Sequence, residues 1–285
     1  MKGPALSRRD LIAGSVGAGF ALAVRPISAA TITTSAEGLE VADVHLPGPG
    51  GDVSAYTAWP AKRATKPPVV LVVHEIFGVH EHIRDVCRRL AKLGYAAIAP
   101  DLFARQGDVT KLADNKEISA KVVSKVPDAQ VLSDLDRCVP FLKTKGADAS
   151  RVAVTGFCWG GRIAWLYAAH ASAVRAGVAW YGRLIGDKDA LHAQYPIDVA
   201  ATLKAPVLGL YGGQDQGIPV ATVEEMRKAL AAGGAASKRS QIQIYPDAGH
   251  AFFADYRPSY RAAAAADGWK RMLDWFKTNG VAPQG

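Results

Sequence analysis

The chain is poor in cysteine: three in 285 residues, with no Cys-x-x-Cys pair among them. That excludes a disulfide framework, a zinc ribbon and a thioredoxin-like redox site. Charge of one sign is nowhere concentrated. The formal charge is +8, of which +3 lies in the first thirty residues, leaving a mildly basic remainder with no basic run interleaved with aromatics. A nucleic-acid partner is therefore not expected. Internal repeats, serine-rich linkers and low-complexity tracts are absent too. After the N-terminus no hydrophobic run approaches the roughly twenty residues of a membrane-spanning helix. What remains is an ordinary globular balance, 49% hydrophobic and 21% charged, in a chain long enough for one large core.

The first thirty residues read as an address. A start holding Ser7, Arg8, Arg9 and Asp10 precedes a glycine-loosened apolar stretch from Leu11 to Val24. Arg25-Pro26 and the small residues Ser28, Ala29 and Ala30 follow. The stretch is too short to span a bilayer, so cleavage after about Ala30 is expected rather than anchoring. The paired arginines resemble a twin-arginine signal, which delivers folded proteins to an export machinery. Residues 31–285 are then expected to be one domain, periplasmic or otherwise exported, with no membrane anchor once the signal is removed. An uncleaved helix or a general secretory signal is the alternative.

Two alternating stretches, Val41 to Leu46 and Val53 to Trp59, flank the turn residues Gly48 to Asp52 and predict a hairpin. Apolar runs of strand length follow: Val69 to His74, Tyr95 to Pro100, Val152 to Phe157, Gly177 to Trp180, Val207 to Tyr211 and Ile242 to Tyr245. Runs without polar alternation predict strands buried on both faces, and helical periods between them supply the cover. Ile83, Val86, Leu90 and Leu93 form one apolar stripe; Leu132, Leu135, Val139 and Leu142 form another. The plan is α/β, an α/β-hydrolase-like fold with a mostly parallel central sheet and helices on both faces.

Gly156-Phe157-Cys158-Trp159-Gly160 follows one of these strands and opens a helical run from Arg162 to Ala169. A residue on such a tight turn is forced into an unfavourable backbone conformation, and flanking glycines remove colliding side chains. Cys158 would project at the top of the sheet, where the positive helix end favours thiolate. The plainer alternative is a buried cysteine acting as a small hydrophobe. A nucleophile needs a base and a group to orient it. Two later strands run into Gly212-Gly213-Gln214-Asp215 and Pro246-Asp247-Ala248-Gly249-His250. His250 is therefore the candidate base and Asp215 its orienting carboxylate. His170 and His192 fall in or after helical stretches, and Asp247 is too near His250 to orient it.

His74-Glu75-Ile76-Phe77-Gly78, Ala99 to Arg105, the cysteine turn, Gly212 to Asp215 and Ala248-Gly249-His250 resemble the dienelactone hydrolase family, from about Tyr56 to the C-terminus. The resemblance implies a Cys158, Asp215 and His250 triad, with the backbone N–H groups of Ile76 and Trp159 as the oxyanion hole. Fixed donors of that kind are what a developing oxyanion requires. It also implies that Glu75 is linked to the resting nucleophile, sharing one proton with it; a carboxylate bonded within its own loop is the alternative. Arg105 resembles a clamp for a substrate carboxylate. The family's second clamp arginine is replaced by Ala254, and nothing in the sequence positions Arg257 to take its place, which points to a less charged ester or lactone. Phe252, Phe253, Trp159, Trp180 and Tyr181 suggest an aromatic pocket, with Tyr181 and Phe252 as substrate contacts. The implied function is hydrolysis of a small-molecule ester or lactone through an acyl-cysteine, with no cofactor and no metal. A binding or scaffold protein retaining the fold is the alternative. A redox role for Cys158 lacks a resolving partner, since Cys87 and Cys138 fall on separate helices and are expected to be free thiols.

Overall fold

A computed structural model of the chain describes residues 31–48 and 50–284. The expected export signal, residues 1–30, lies outside the described residues. Among the described residues, no helix is long and apolar enough to cross a membrane.

The chain enters through a hairpin, β1 (Leu39–Leu46) and β2 (Val53–Pro60), paired antiparallel from Leu39↔Pro60 to Leu46↔Val53. Strands and helices then alternate: β3 (Pro68–Val73), α1 (Glu81–Lys92), β4 (Ala96–Pro100), α2 (Asn115–Lys121), α3 (Asp128–Thr144), β5 (Asp148–Phe157), α4 (Trp159–His170), β6 (Val174–Trp180), α5 (Pro196–Val199), β7 (Val207–Gly212), α6 (Val220–Ala232), α7 (Ala235–Arg239), β8 (Gln241–Tyr245) and α8 (Ala262–Thr278). One sheet holds all eight strands in the order β1-β2-β4-β3-β5-β6-β7-β8. β2 joins β4 antiparallel, and from β4 to β8 every pairing is parallel. The expected mostly parallel α/β architecture is therefore observed.

Burial explains the layout. Val69 through Val73 of β3 are all fully buried, so both faces of the central strand are covered. β1, at the sheet edge, is largely exposed. Ile83, Val86 and Leu90 of α1 and Val131, Leu135, Cys138 and Leu142 of α3 are fully buried, at the spacings of three and four that place them on one helix face. β6 begins at Val174, three residues before the apolar run, because exposed Arg175 interrupts the hydrophobic pattern while Val174 and Ala176 are buried. The helices α2, α6 and α7 go beyond what the periodicity indicates. All three cysteines are free.

The chain order creates the crevice. From β3 the chain crosses to β4 on one side, then back over β3 to β5 on the other, so the loops leaving β3 and β5 diverge. Such a switch point leaves an opening at the carboxyl ends of the strands. The loops after β7 and β8 meet the same edge and are sewn together, with Gly213 N donating to Tyr245 O at 2.8 Å and Gln214 N to Ala248 O at 2.9 Å.

Candidate active site

Cys158 sits between β5 and α4 with φ 55° and ψ −115°, a region that side chains other than glycine's rarely occupy. The glycines around it permit the turn. A Cβ on Gly156 would lie 2.0 Å from Gly160 O, and one on Gly160 would lie 2.3 Å from Val73 O. Strain of this kind is confined to one place. Among the described residues the non-glycine positions with positive φ are Cys158, Tyr181 at 39° and Ala251 at 58°. Tyr181 packs edge-on against the His250 ring at 5.2 Å, and Ala251 follows His250.

A chain of hydrogen bonds joins the three loops. His250 Nε2 lies 3.1 Å from Cys158 Sγ, and His250 Nδ1 lies 2.7 Å from Asp215 Oδ2. Asp215 is 5% exposed, and its other oxygen accepts from Gly217 N at 2.9 Å. Burial favours the neutral ring of His250. The negative sulfur of Cys158 and the hydrogen bonds to Asp215 and Cys158 outweigh it and push the pKa up to about 10. The ring is then an imidazolium at neutral pH, poised to give a proton to a leaving group.

These groups open on a cleft of about 410 Å³ whose walls include Ile76, Trp159, Tyr181, Arg183, Ile218 and, beside Cys158 and His250, Arg162. Trp159 is the first residue of α4, so its N–H has no carbonyl of its own helix to bond. Ile76 N–H has no backbone acceptor among the described residues. Both are thus available donors on the wall that carries the sulfur. Tyr181 is fully buried and its hydroxyl has no hydrogen-bond partner among the described residues; burial, reinforced by the charge of Glu75, pushes its pKa well above the ordinary value.

Several expected contacts are corrected. Glu75 does not bond the sulfur. It is fully buried, and its Oε2 accepts from Tyr256 Oη at 2.6 Å and lies 3.3 Å from His80 Nε2, while Arg257 Nη2 stands 3.9 Å from Oε1. Burial works against the Glu75 charge, but Arg257 and His80 prevail and hold the carboxyl far below its usual range. Arg105 is not at the cleft either: it is ion-paired to buried Asp134 of α3. Phe252 is fully buried against Tyr245, Tyr181 and Trp180, and Phe253 stacks on Phe157, so these aromatics are core, and only Trp159 and Tyr181 of the expected set line the cleft. Arg257 is held by Glu75 and by Tyr256 Oη, 3.0 Å from its Nε.

Sequence reasoning missed His80 and Tyr256. Neither carries a motif, and Tyr256 meets Glu75 from 181 residues away. It also missed the brace that holds the loop after β8. Arg89 of α1 donates to Asp85 at 2.5 Å and to buried Asp255 at 2.5 Å, and His82 Nδ1 lies 3.3 Å from Asp255.

The sheet, the strained turn and the crevice at the strand ends define an α/β-hydrolase. Comparison with known proteins narrows the class. Residues 53–280 match the model of the dienelactone hydrolase family. A protein of Methylorubrum extorquens named "Putative carboxymethylenebutenolidase" is 62% identical over 279 residues, covering 97% of this chain and 94% of its own. A protein of the same name from Escherichia coli K12 is 52% identical, covering 92% of this chain and 96% of its own. A crystal structure described as a "Putative Dienelactone Hydrolase" from Klebsiella pneumoniae superposes with a TM-score of 0.81 at 52% identity, covering 84% of this chain and 98% of that one. The chain belongs to the dienelactone hydrolase family and is a hydrolase of that type.

The Glu75 arrangement sets a pH dependence. A carboxyl depressed in the folded state contributes stability that is complete above its ordinary pKa of 4.5 and is lost as pH falls from there toward the folded value. Glu75→Gln leaves Arg257 buried without its counter-charge, which costs about 3–5 kcal/mol. Urea unfolding should show that gap at neutral pH and a narrowing below pH 4.5; a gap that stays constant through acid would contradict the assignment.

Proposed function

We propose that the protein hydrolyses a small carboxylic ester or lactone through an acyl-thioester on Cys158. The observation that carries this reading is the continuous hydrogen-bond chain from Sγ through His250 to Asp215. The thiolate attacks the acyl carbon, forming the C–S bond and placing negative charge on the former carbonyl oxygen. The N–H groups of Ile76 and Trp159 receive that oxyanion. Collapse breaks the C–O bond, and His250 passes its proton to the departing oxygen. Water then attacks the thioester while His250 takes a proton from it, releasing the acid and restoring the thiolate–imidazolium pair. Asp215 holds the ring in the required orientation throughout. No cofactor or metal enters the scheme. The names carried by the relatives favour a lactone as the substrate class.

Cys158→Ala should lower hydrolysis of p-nitrophenyl acetate by about a thousandfold or more, with an unchanged urea midpoint, and iodoacetamide should inactivate the wild type in parallel. Undiminished turnover in the variant would overturn the mechanism.

The N-terminal residues support a second element of the reading, export of the folded enzyme by a twin-arginine route. Replacing Arg8 and Arg9 together by lysine should leave the unprocessed chain in the cytoplasm. Normal delivery of that variant to the periplasm would rule the route out.

A further inference from the structure

His74 follows β3 directly and is fully buried, yet nothing in the proposed chemistry uses it. Its tautomer is fixed by its neighbours. Leu102 N donates to Nε2 at 3.1 Å, so that nitrogen is bare and the ring proton sits on Nδ1. Nδ1 lies 2.6 Å from Glu75 O and donates to it. Burial favours the same neutral ring and lowers the pKa of His74, against the charge of Asp101. The ring stacks on that of Trp159, with centroids 5.5 Å apart and planes 19° from parallel, and meets Phe103 edge to face at 4.6 Å.

These contacts converge on the two N–H groups that receive the oxyanion in the proposed reaction. Glu75 C=O and Ile76 N–H belong to one planar trans peptide unit, in which the carbonyl and the N–H point in opposite directions. Holding the oxygen therefore fixes the direction of the N–H. A hydrogen bond accepted by the carbonyl also polarises the unit and strengthens its N–H as a donor. The second N–H is that of Trp159, whose indole lies on the His74 ring. The main chain meets there as well: a Cβ on Gly160 would lie 2.5 Å from His74 O, so the start of α4 abuts this residue directly. The bond from Leu102 N anchors the ring to the loop after β4, where Leu102 and Phe103 are both buried. One side chain thus joins the loops after β3 and β4 and packs on the first residue of α4.

We propose that His74 is a positioning residue for the oxyanion hole: its Nδ1–H holds the Glu75–Ile76 peptide so that Ile76 N–H receives the charge developing on the acyl oxygen. This rests on the hydrolase reading of the same cleft, so the test separates the two. His74→Asn sets an amide nitrogen where Nδ1 stood, whereas His74→Gln sets one where Nε2 stood. Both lose the ring, so the lost packing is common to them. Two reagents divide the chemistry. Iodoacetamide alkylates Cys158 Sγ with loss of iodide and forms no oxyanion. Trifluoroacetophenone adds to the same thiolate, the C–S bond forming as the carbonyl electron pair moves onto oxygen. His74→Gln should lower both the p-nitrophenyl acetate burst rate and the ketone affinity by about tenfold to a hundredfold, less than deleting an oxyanion donor outright costs, with the iodoacetamide rate little changed. His74→Asn should retain most of both. Nitrogen NMR of the wild type, which needs no variant to fold, should find the His74 ring proton on Nδ1. An equal loss in the two variants, no loss in either, a loss that iodoacetamide shares, or a proton on Nε2 would overturn the role of His74. The difference between the variants in ketone affinity, seen without ester hydrolysis by the wild type, would support that role and overturn the hydrolase reading.

Discussion

The site depends on one backbone conformation, the positive φ that Cys158 adopts between β5 and α4. It turns the chain from the centre of the sheet into a helix within a single residue, which lifts the sulfur to the crevice at the first turn of α4. The conformation is disfavoured by itself. It persists because Gly156 and Gly160 let β5, α4 and β3 approach closer than any side chain would allow. Tyr181 and Ala251 carry the other positive φ values, and both touch or adjoin His250. Strain has been gathered where the three loops meet, and the buried strands around them hold it in place.

Around that turn lie the hydrogen-bonded pair of Cys158 and His250 and the buried ion pair of Glu75 with Arg257. They are coupled, since the charge on Cys158 contributes, after burial and the larger effects of Glu75 and Tyr256, to the raised pKa of Arg257. Tyr256 and His80 complete the coordination of Glu75, and the Asp85–Arg89–Asp255 brace ties the loop after β8 to α1. In a low-dielectric interior such charges are stable only as neutralised sets.

Most of the fold was legible because most of the parallel strands carry an apolar run and two of the flanking helices, α1 and α3, have a clear apolar stripe, whereas Arg175 in β6 hides the start of that strand. Cys158, Asp215 and His250 could be chosen for the same local reason: each stands just after a strand of recognisable composition. What escaped was decided by partners remote in sequence. Arg105 looks like a clamp until Asp134, on a helix 29 residues later, takes its charge. Glu75 looks like a partner for the sulfur until Tyr256 arrives from the far end of the chain. Phe252 and Phe253 follow the histidine at the mouth of the sheet, yet the loop turns them inward, and nothing in their spelling separates a pocket wall from a core.

The central claim is that the sulfur becomes covalently acylated. Intact-protein mass spectrometry of the enzyme mixed rapidly with p-nitrophenyl acetate and quenched in acid, followed by peptide mapping, tests it directly. The account predicts a transient adduct of one acetyl group, confined to the peptide containing Cys158 and accumulating further when His250 is replaced by a residue that cannot activate water. Turnover with no adduct, or an acetyl group carried on a different residue, would contradict it.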